Sequence, residues 1–233
     1  MTVTAVRRLF SAVALAGVLS LASCQTNRPL DYVRQSGDEH YSHQRYAQAL
    51  TDYEEYTERA PGDARGNYDL GRTLLQLNRV SEAIPPLWVA YDVDSTRPEY
   101  VNTLAEALCR AAESATVDLG ERAELYRFLN ARVKQFPTPE EFIRLGKYAE
   151  RLGDADEALT AYLTAARIDL GQSLAPQLAL AEFHLARGDR EEGLRRLRMA
   201  LYLDQTNAEI AAKIRAQGEI PGPTFALQPA EAP

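Results

Sequence analysis

The sequence predicts an all-α protein in which pairs of helices repeat along the chain and stack into a solenoid. Small residues recur at steps of 34 residues in two series, Gly37, Gly71 and Ala105 in one and Ala49 and Ala83 in the other. Large apolar residues follow these small ones at three or four positions, as expected where two helices pack closely. A period of this length fits one helix-turn-helix unit, and stacked units share a continuous core.

Residues 67–90 carry the pattern most completely. The matching residues are Leu70, Gly71, Leu74, Ala83, Leu87 and Ala90. The pattern resembles the tetratricopeptide repeat (TPR), and the resemblance extends over residues 31–206. It implies a right-handed TPR solenoid of about five helix-turn-helix repeats, in which the first helix of each repeat lines a concave face.

Two places depart from the regular pattern. Pro85 and Pro86 fall in the second helix of the second unit, and because proline lacks an amide donor, we expect that helix to begin near Pro85. The third unit is longer, since Gly146 follows Ala105 by 41 residues rather than 34. We therefore expect longer helices or a longer connection in this unit, with its second helix at roughly residues 119–136.

The last units are regular again. Gly153 and Gly188, 35 residues apart, lie at the turns of the fourth and fifth units, where a helix end favours the left-handed conformation of glycine. Asn207 is a suitable N-cap for a C-terminal capping helix over residues 207–217, whose apolar side would cover the end of the array. Residues 218–233 contain four prolines and no helical period, so we predict a disordered tail.

The N-terminus carries a different signal. Two arginines precede an apolar stretch, residues 9–21, that is too short to span a bilayer comfortably as a helix. It ends in Leu-Ala-Ser-Cys at residues 21–24, which resembles a bacterial lipobox. The resemblance implies a lipoprotein signal peptide over residues 1–23 and lipidation of Cys24, including acyl chains such as palmitate.

Residues 24–30 would then form a short lipidated tether. The residue after the cysteine is Gln25 rather than Asp, and the sorting rule for lipoproteins then implies the periplasmic face of the outer membrane. In a host without an outer membrane, the anchor would lie in the cell membrane. Two alternatives are an ordinary secretory signal that is cut near Ala22 or Ser23, and a twin-arginine signal built on Arg7 and Arg8.

Composition and charge argue against several function classes. The net charge is −7, and removal of residues 1–23 leaves 24 basic and 33 acidic residues. Such an acidic chain gains nothing from counterion release, so nucleic acid is not an expected partner. We find no Ser/His/Asp set and no phosphate-binding glycine loop, which argues against an enzyme. His40 and His43 have no third ligand nearby, so no metal or other cofactor is expected.

The TPR resemblance also locates a binding surface, because the usual groove positions can be mapped onto this chain. The mapped residues combine mixed charges with Tyr and Leu, which suits an extended or helical peptide rather than a small-molecule substrate. They are Arg34, Asp38, Tyr41, Tyr68, Arg72, Leu75, Asn102, Glu106, Arg110, Ile143, Lys147, Glu150, Leu178, Glu182 and Leu185. Arg34 and Asp38 occupy positions where a carboxylate clamp has Lys and Asn, and Asp38 would repel a carboxylate.

Two further side chains have alternative interpretations. Trp88 either packs between repeats or forms a possible partner contact. Cys109 lies in an Ala- and Leu-rich helical run and is expected to be a small buried apolar residue.

These features resemble those of bacterial TPR lipoproteins. They predict a membrane-anchored, non-catalytic scaffold or adaptor that binds a partner protein or peptide in the concave groove. The resemblance implies a role in envelope assembly, in outer-membrane protein, pilus or peptidoglycan machinery. The alternatives are a structural envelope lipoprotein without a regulated client and, less consistent with the sequence, an enzyme.

Overall fold

The computed structural model describes residues 28–114 and 119–232, and all regular secondary structure in these ranges is helical. Consecutive helices pack as five pairs, each pair stacks on the next, and a last helix packs against the fifth pair. The helices are α1 (Leu30–Ser42), α2 (Tyr46–Arg59), α3 (Ala64–Gln76), α4 (Val80–Val93), α5 (Pro98–Ser114), α6 (Leu119–Gln135), α7 (Pro139–Arg151), α8 (Ala155–Asp169), α9 (Leu174–Ala186), α10 (Arg190–Leu203) and α11 (Ala208–Ala216). The described chain is thus an all-helical solenoid, which confirms the predicted fold class.

Small residues at the predicted positions allow the helices of a pair to approach closely. Gly71 in α3 faces Leu87 in α4, and a Cβ added to Gly71 would lie 2.5 Å from Leu87 Cγ. In the first pair, a Cβ on Gly37 would lie 2.7 Å from the ring of Tyr53. Leu87 and Tyr53 are fully buried, so a larger side chain at either glycine would force the helices apart.

In the first, second, fourth and fifth pairs, the turn between the two helices contains one residue with left-handed backbone. Gly153 and Gly188 have φ values of +82° and +79°, as predicted for the fourth and fifth pairs. The turns of the first two pairs use Gln44 and Asn78, each with φ of 59°. Because non-glycine residues also adopt this conformation here, the pairing of the helices fixes the turn more strongly than the turn residue does.

The helix that contains the two prolines begins earlier than we predicted. We expected it to begin near Pro85, but α4 starts at Val80 and continues through Pro85 and Pro86. The prolines cannot donate to the carbonyl groups of Ser81 and Glu82 one turn earlier. Both of those residues are exposed, so water can supply the missing donors and the helix is retained.

The third pair contains the longest helices. α5 and α6 have 17 residues each, whereas α3 has 13 and α8 has 15. The predicted second helix of this unit, residues 119–136, agrees with α6. The extra length of the unit therefore lies at least partly in its helices.

A buried ion pair joins the third pair to the fourth. Arg132 of α6 and Glu141 of α7 are 5% and 6% exposed and contact each other directly. Arg132 also donates to the carbonyl of Ser95 at 2.6 Å, and Arg144 forms a second contact with Glu141. Burial alone would raise the pKa of Glu141, but hydrogen bonds and charges from the two arginines outweigh it and lower that pKa.

Cys109 is buried, as the sequence predicted, in a core cluster that extends from the first pair to the fourth. It is 0% exposed and is a free thiol. Burial raises the pKa of its thiol to about 11, so the group stays protonated and weakly reactive at neutral pH.

The predicted C-terminal cap is also present. The side chain of Asn207 accepts hydrogen bonds from the backbone N–H groups of Glu209 and Ile210, both at 3.1 Å. Ile210 and Ile214 of α11 are buried against the fifth pair. The helix therefore closes the end of the array in the way that the sequence indicated.

The segment after α11 differs from the disordered tail that we predicted. Residues 218–232 contain neither helix nor strand, but residues 225–231 lie against α9 and α10. The N–H of Leu227 donates to the carbonyl of Arg198 at 3.0 Å, and Pro229 is buried beside Gly171. The prolines correctly indicated irregular structure, but apolar and charged contacts hold the segment on the solenoid.

The predicted signal peptide, residues 1–23, and Cys24 lie outside the described residues. The end of the predicted tether is described, and there Arg28 pairs with Asp52 of α2 at 2.9 Å. None of the described helices combines the length and apolar character needed to cross a membrane.

Candidate peptide-binding groove

A cleft of about 510 Å³ opens on the side of the solenoid formed by the first helices of the pairs. We call it the groove. Residues of α1, α3, α5 and α7 line it, and each of these is the first helix of its pair, as the TPR resemblance implied. The lining residues are Tyr41, Tyr68, Arg72, Leu75, Gln76, Asn102, Thr103, Glu106, Arg110 and Tyr148.

Arg72 lies between two tyrosine rings of the groove. Its guanidinium carbon is 3.9 Å from the centre of the Tyr41 ring and 5.5 Å from that of Tyr68. Stacking of this kind contributes roughly 0.5–2 kcal/mol per contact, depending on how far the pair is removed from water. It also holds one cationic and two aromatic groups in a fixed arrangement at the surface of the groove.

A buried carboxylate supports Arg72. Asp69 is 0% exposed, and its oxygens lie 2.7 Å from Arg65 Nε and 2.8 Å from Arg72 Nε. The N–H of Arg72 Nε is not aligned for a hydrogen bond, so this contact is mainly Coulombic. Burial raises the pKa of Asp69, and the two arginines offset that effect only in part.

The opposite wall of the groove is held by contacts between helices. Arg110 of α5 donates to the carbonyl of Leu75 at 3.1 Å and to Asn78 Oδ1 at 2.8 Å. Glu106 lies 2.6 Å from Arg151, which pairs with a second glutamate of α5 as well. These side chains are therefore positioned before any ligand arrives, which reduces the entropy lost on binding.

The structure brings seven of the fifteen predicted groove residues together, and Ile143, Glu150, Leu178 and Leu185 are among those that lie outside the cleft. The seven residues are Tyr41, Tyr68, Arg72, Leu75, Asn102, Glu106 and Arg110. Arg34 and Asp38 lie on α1 outside this cleft, and Asp38 instead accepts a hydrogen bond from Tyr53 at 2.7 Å. Lys147 is exposed on α7, and Glu182 on α9 pairs with a lysine of α11 at 2.7 Å.

Three lining residues were not predicted, namely Gln76, Thr103 and Tyr148. Each directly follows a predicted position along its helix. The TPR positions that we mapped include one residue per helical turn. The next residue along the helix can also face the groove, and such a mapping leaves it out. A wider stripe on each first helix would have included all three residues.

Trp88 lies away from the groove. Its ring contacts Tyr91 and Phe128 edge to face, with 5.6 Å between ring centres in each case. The side chain is half-buried and packs against the core between the second and third pairs. This position agrees with the packing interpretation of Trp88.

The two histidines considered for metal binding have other neighbours. His40 Nδ1 lies 2.9 Å from Asp52 Oδ2, and His43 Nδ1 lies 2.8 Å from the carbonyl oxygen of Glu39. Over residues 28–114 and 119–232, no cluster of three or more potential metal ligands is present.

Comparison with known proteins supports the repeat assignment directly in the first two pairs. Residues 34–92, which extend from α1 into α4, match the family model described as tetratricopeptide repeat. No curated protein matches the chain significantly.

Solved structures extend the similarity over most of the chain. A thermophilic TPR protein of Thermus thermophilus is 21% identical, with a TM-score of 0.53 over 81% of this chain and 98% of that chain. The MamA protein is 18% identical, with a TM-score of 0.54 over 77% and 94% of the two chains. MamA from Desulfovibrio magneticus is 13% identical, with a TM-score of 0.54 over 77% and 97%. At these identities, the similarity establishes the TPR-like fold alone.

Proposed function

We propose that this solenoid is a non-catalytic scaffold that binds an extended segment of a partner protein in the groove. The observation that carries the proposal is the stacking of Arg72 on Tyr41, with Tyr68 beside it, in a cleft formed by four first helices. A guanidinium group can bind backbone carbonyls and carboxylates of a peptide, and the tyrosine rings offer flat apolar surfaces. Repeat solenoids commonly use such extended surfaces for protein partners.

Site-specific photo-cross-linking in cells tests this proposal. A photoreactive amino acid in place of Tyr68 should form one dominant adduct with a protein, because the side chain lies in the groove. The same amino acid in place of Tyr202, which is 46% exposed on α10, serves as the control and should not form that adduct. Absence of a protein adduct at Tyr68, or adducts with peptidoglycan only, would favour the alternative of a structural envelope lipoprotein.

We also propose that the scaffold acts in envelope assembly while anchored by lipid on Cys24. The lipobox and Gln25 support this location, on the periplasmic face of an outer membrane where the host has one. Arg28 forms ion pairs with Asp52 and Glu55 of α2. Three residues separate Arg28 from Cys24 in the sequence. At about 3.3 Å per extended residue, the first helix pair would lie roughly 13 Å from the lipid attachment point.

Cys24→Ser should abolish labelling of the protein with radioactive palmitate and move the protein from the membrane fraction to the soluble fraction. The physical reason is that each buried CH₂ of an acyl chain contributes about 0.8 kcal/mol to membrane binding, and the variant has no such chain. Cys109→Ala is the matched control, since Cys109 is buried in the core and the change should leave labelling intact. Continued labelling of Cys24→Ser would refute this anchor.

A further inference from the structure

The last segment of the chain makes specific backbone contacts with α10. We call residues 225–231 the strap. The N–H of Leu227 donates to the carbonyl of Arg198 at 3.0 Å, and Arg198 Nε donates to the carbonyl of Phe225 at 2.8 Å. The Phe225 ring also lies 5.0 Å from the guanidinium of Arg198. Phe225 and Ala226 pack on the core cluster of the fifth pair and α11.

The other end of the strap is held by a buried polar site. Glu231 Oε1 accepts from Arg196 Nη1 at 2.7 Å, and Glu231 Oε2 accepts from Gln177 Nε2 at 3.1 Å. Arg196 and Gln177 are only 6% and 0% exposed. A carboxylate bound by two buried donors on neighbouring helices is a specific contact, because displacement leaves those donors poorly satisfied.

The last five residues of the strap present alternate side chains to the solenoid. Leu227, Pro229 and Glu231 are buried or half-buried, whereas Gln228 and Ala230 between them are exposed. Turns flank this stretch, since the N–H groups of Phe225 and Ala226 donate to the carbonyl of Gly222 and the N–H of Ala232 donates to the carbonyl of Pro229. The alternation also explains why helical periodicity in the sequence did not reveal this segment.

The surface leaves room for a proline ring at position 229 of the strap. A Cβ added to Gly171 would lie 2.6 Å from Pro229 Cβ, so glycine leaves the space that the proline ring fills. Gly171 has a φ of +68°, which favours glycine there for a second reason.

The connection between α11 and the strap, residues 218–224, is largely exposed, although Glu219 pairs with Arg190 of α10 at 2.9 Å. Gly218 ends α11 with a φ of +82°, and Ile220 is 87% exposed. Pro223 and Thr224 are also exposed. Release of the strap would remove Phe225 and Ala226 from the core cluster that includes Ile210 and Ile214 of α11, while the Asn207 cap of that helix stays in place.

We propose that this surface of α9 and α10 is a second peptide-docking site and that the strap is its resident, autoinhibitory ligand. The external ligand is a segment of a partner protein with an apolar residue, a proline and a carboxylate at alternate positions, as in Leu227, Pro229 and Glu231. Such a segment must displace the strap before it binds. The site lies on the fifth pair, whereas the groove is formed by α1, α3, α5 and α7, so this inference does not depend on ligand binding in the groove.

The test uses the full chain with the strap anchors removed by Phe225→Ala, Leu227→Ala and Glu231→Ala, here named the open variant. The probe is a fluorescein-labelled synthetic peptide of residues 219–233, followed by fluorescence anisotropy. The open variant should bind the peptide. The wild-type chain should bind it at least about tenfold more weakly, because a segment on a short linker competes at an effective concentration on the order of 1 mM.

Two arginine substitutions in the open variant distinguish the loss of the contact with Glu231 from a general loss of peptide binding. Arg196→Gln should weaken peptide binding at least about tenfold, because it removes the charged partner of Glu231. Arg195→Gln is the matched control, since Arg195 pairs with Glu192 rather than with the strap, and binding should be unchanged. Circular dichroism of each variant should show the helical content of the wild type.

Three results would overturn the proposal. The first is an open variant that retains its helices but does not bind the peptide. The second is an equal loss of binding in Arg196→Gln and Arg195→Gln. The third is a concentration-dependent dimer of the wild-type chain, in sedimentation experiments, that disappears in the open variant, since this would assign the surface to the strap of a second copy.

Discussion

Gly71→Leu should lower the free energy of unfolding by about 3 kcal/mol, because it places a large side chain where α3 and α4 are in direct contact. A Cβ at this position already meets Leu87 Cγ at 2.5 Å and the backbone oxygen of Ala83 at 3.3 Å. Leu87 is 0% exposed, so it cannot swing into solvent to make room. Urea unfolding followed by circular dichroism at the usual helix wavelength measures the loss.

Gly62→Leu is the control for this experiment. No atom lies within 4 Å of a Cβ placed on Gly62, which is an exposed turn residue, so the change should stay within about 0.5 kcal/mol. If Gly71→Leu unfolded at the same urea concentration as the wild type, the close approach of α3 and α4 would be wrong.

Glu141→Gln should cost about 3–5 kcal/mol of folding free energy, since it leaves the buried charge of Arg132 without its counterion. Glutamine preserves the shape of the side chain but carries no negative charge. Arg144 loses the same partner, which adds to the repulsion near Arg132.

Glu82→Gln is the control, because the Glu82 carboxylate pairs with Arg79 at an exposed site. The urea midpoint of the Glu82→Gln variant should not differ measurably from that of the wild type.

The same pair predicts a dependence of stability on pH. The pKa of Glu141 is lower in the folded protein than its ordinary value of 4.5, so its contribution is fully present above that pH and is lost as the pH falls through the folded value. The difference in unfolding free energy between wild type and Glu141→Gln should therefore be constant above about pH 5.5 and shrink in more acidic buffer. A difference that does not change with pH would contradict the ion pair.

The helix pairs could be predicted from sequence because close packing requires particular residues at fixed spacing. Gly37 and Gly71 each face a large buried side chain of the partner helix, and few other residues fit there. The prediction that α4 begins near Pro85 was wrong, because the effect of a proline on a helix depends on whether the carbonyl one turn earlier reaches water. The exposure of that carbonyl is a property of the folded surface and cannot be read from the sequence.

The groove was predicted in outline, whereas the contacts that shape it were not. Tyr68 and Arg72 occupy repeat positions that identify them, but the hydrogen bond from Arg110 to Leu75 joins residues 35 positions apart. Such contacts depend on how one pair rotates on the next. The strap was not predicted, for a related reason. Glu231 accepts hydrogen bonds from residues of two helices that are distant from it in the sequence.

Binding in the groove is tested most directly by the yield of the photo-cross-link at position 68 when Arg72 is replaced. Arg72→Gln should reduce the yield of the dominant protein adduct at least about tenfold, because it removes the stacked cation that the ligand would contact. Arg79→Gln changes an arginine that lies outside the groove and pairs with Glu82, and it should leave the yield unchanged. Thermal unfolding should show that Arg72→Gln remains folded at the temperature of the experiment. Equal yields in the wild type and both variants would contradict peptide binding in the groove.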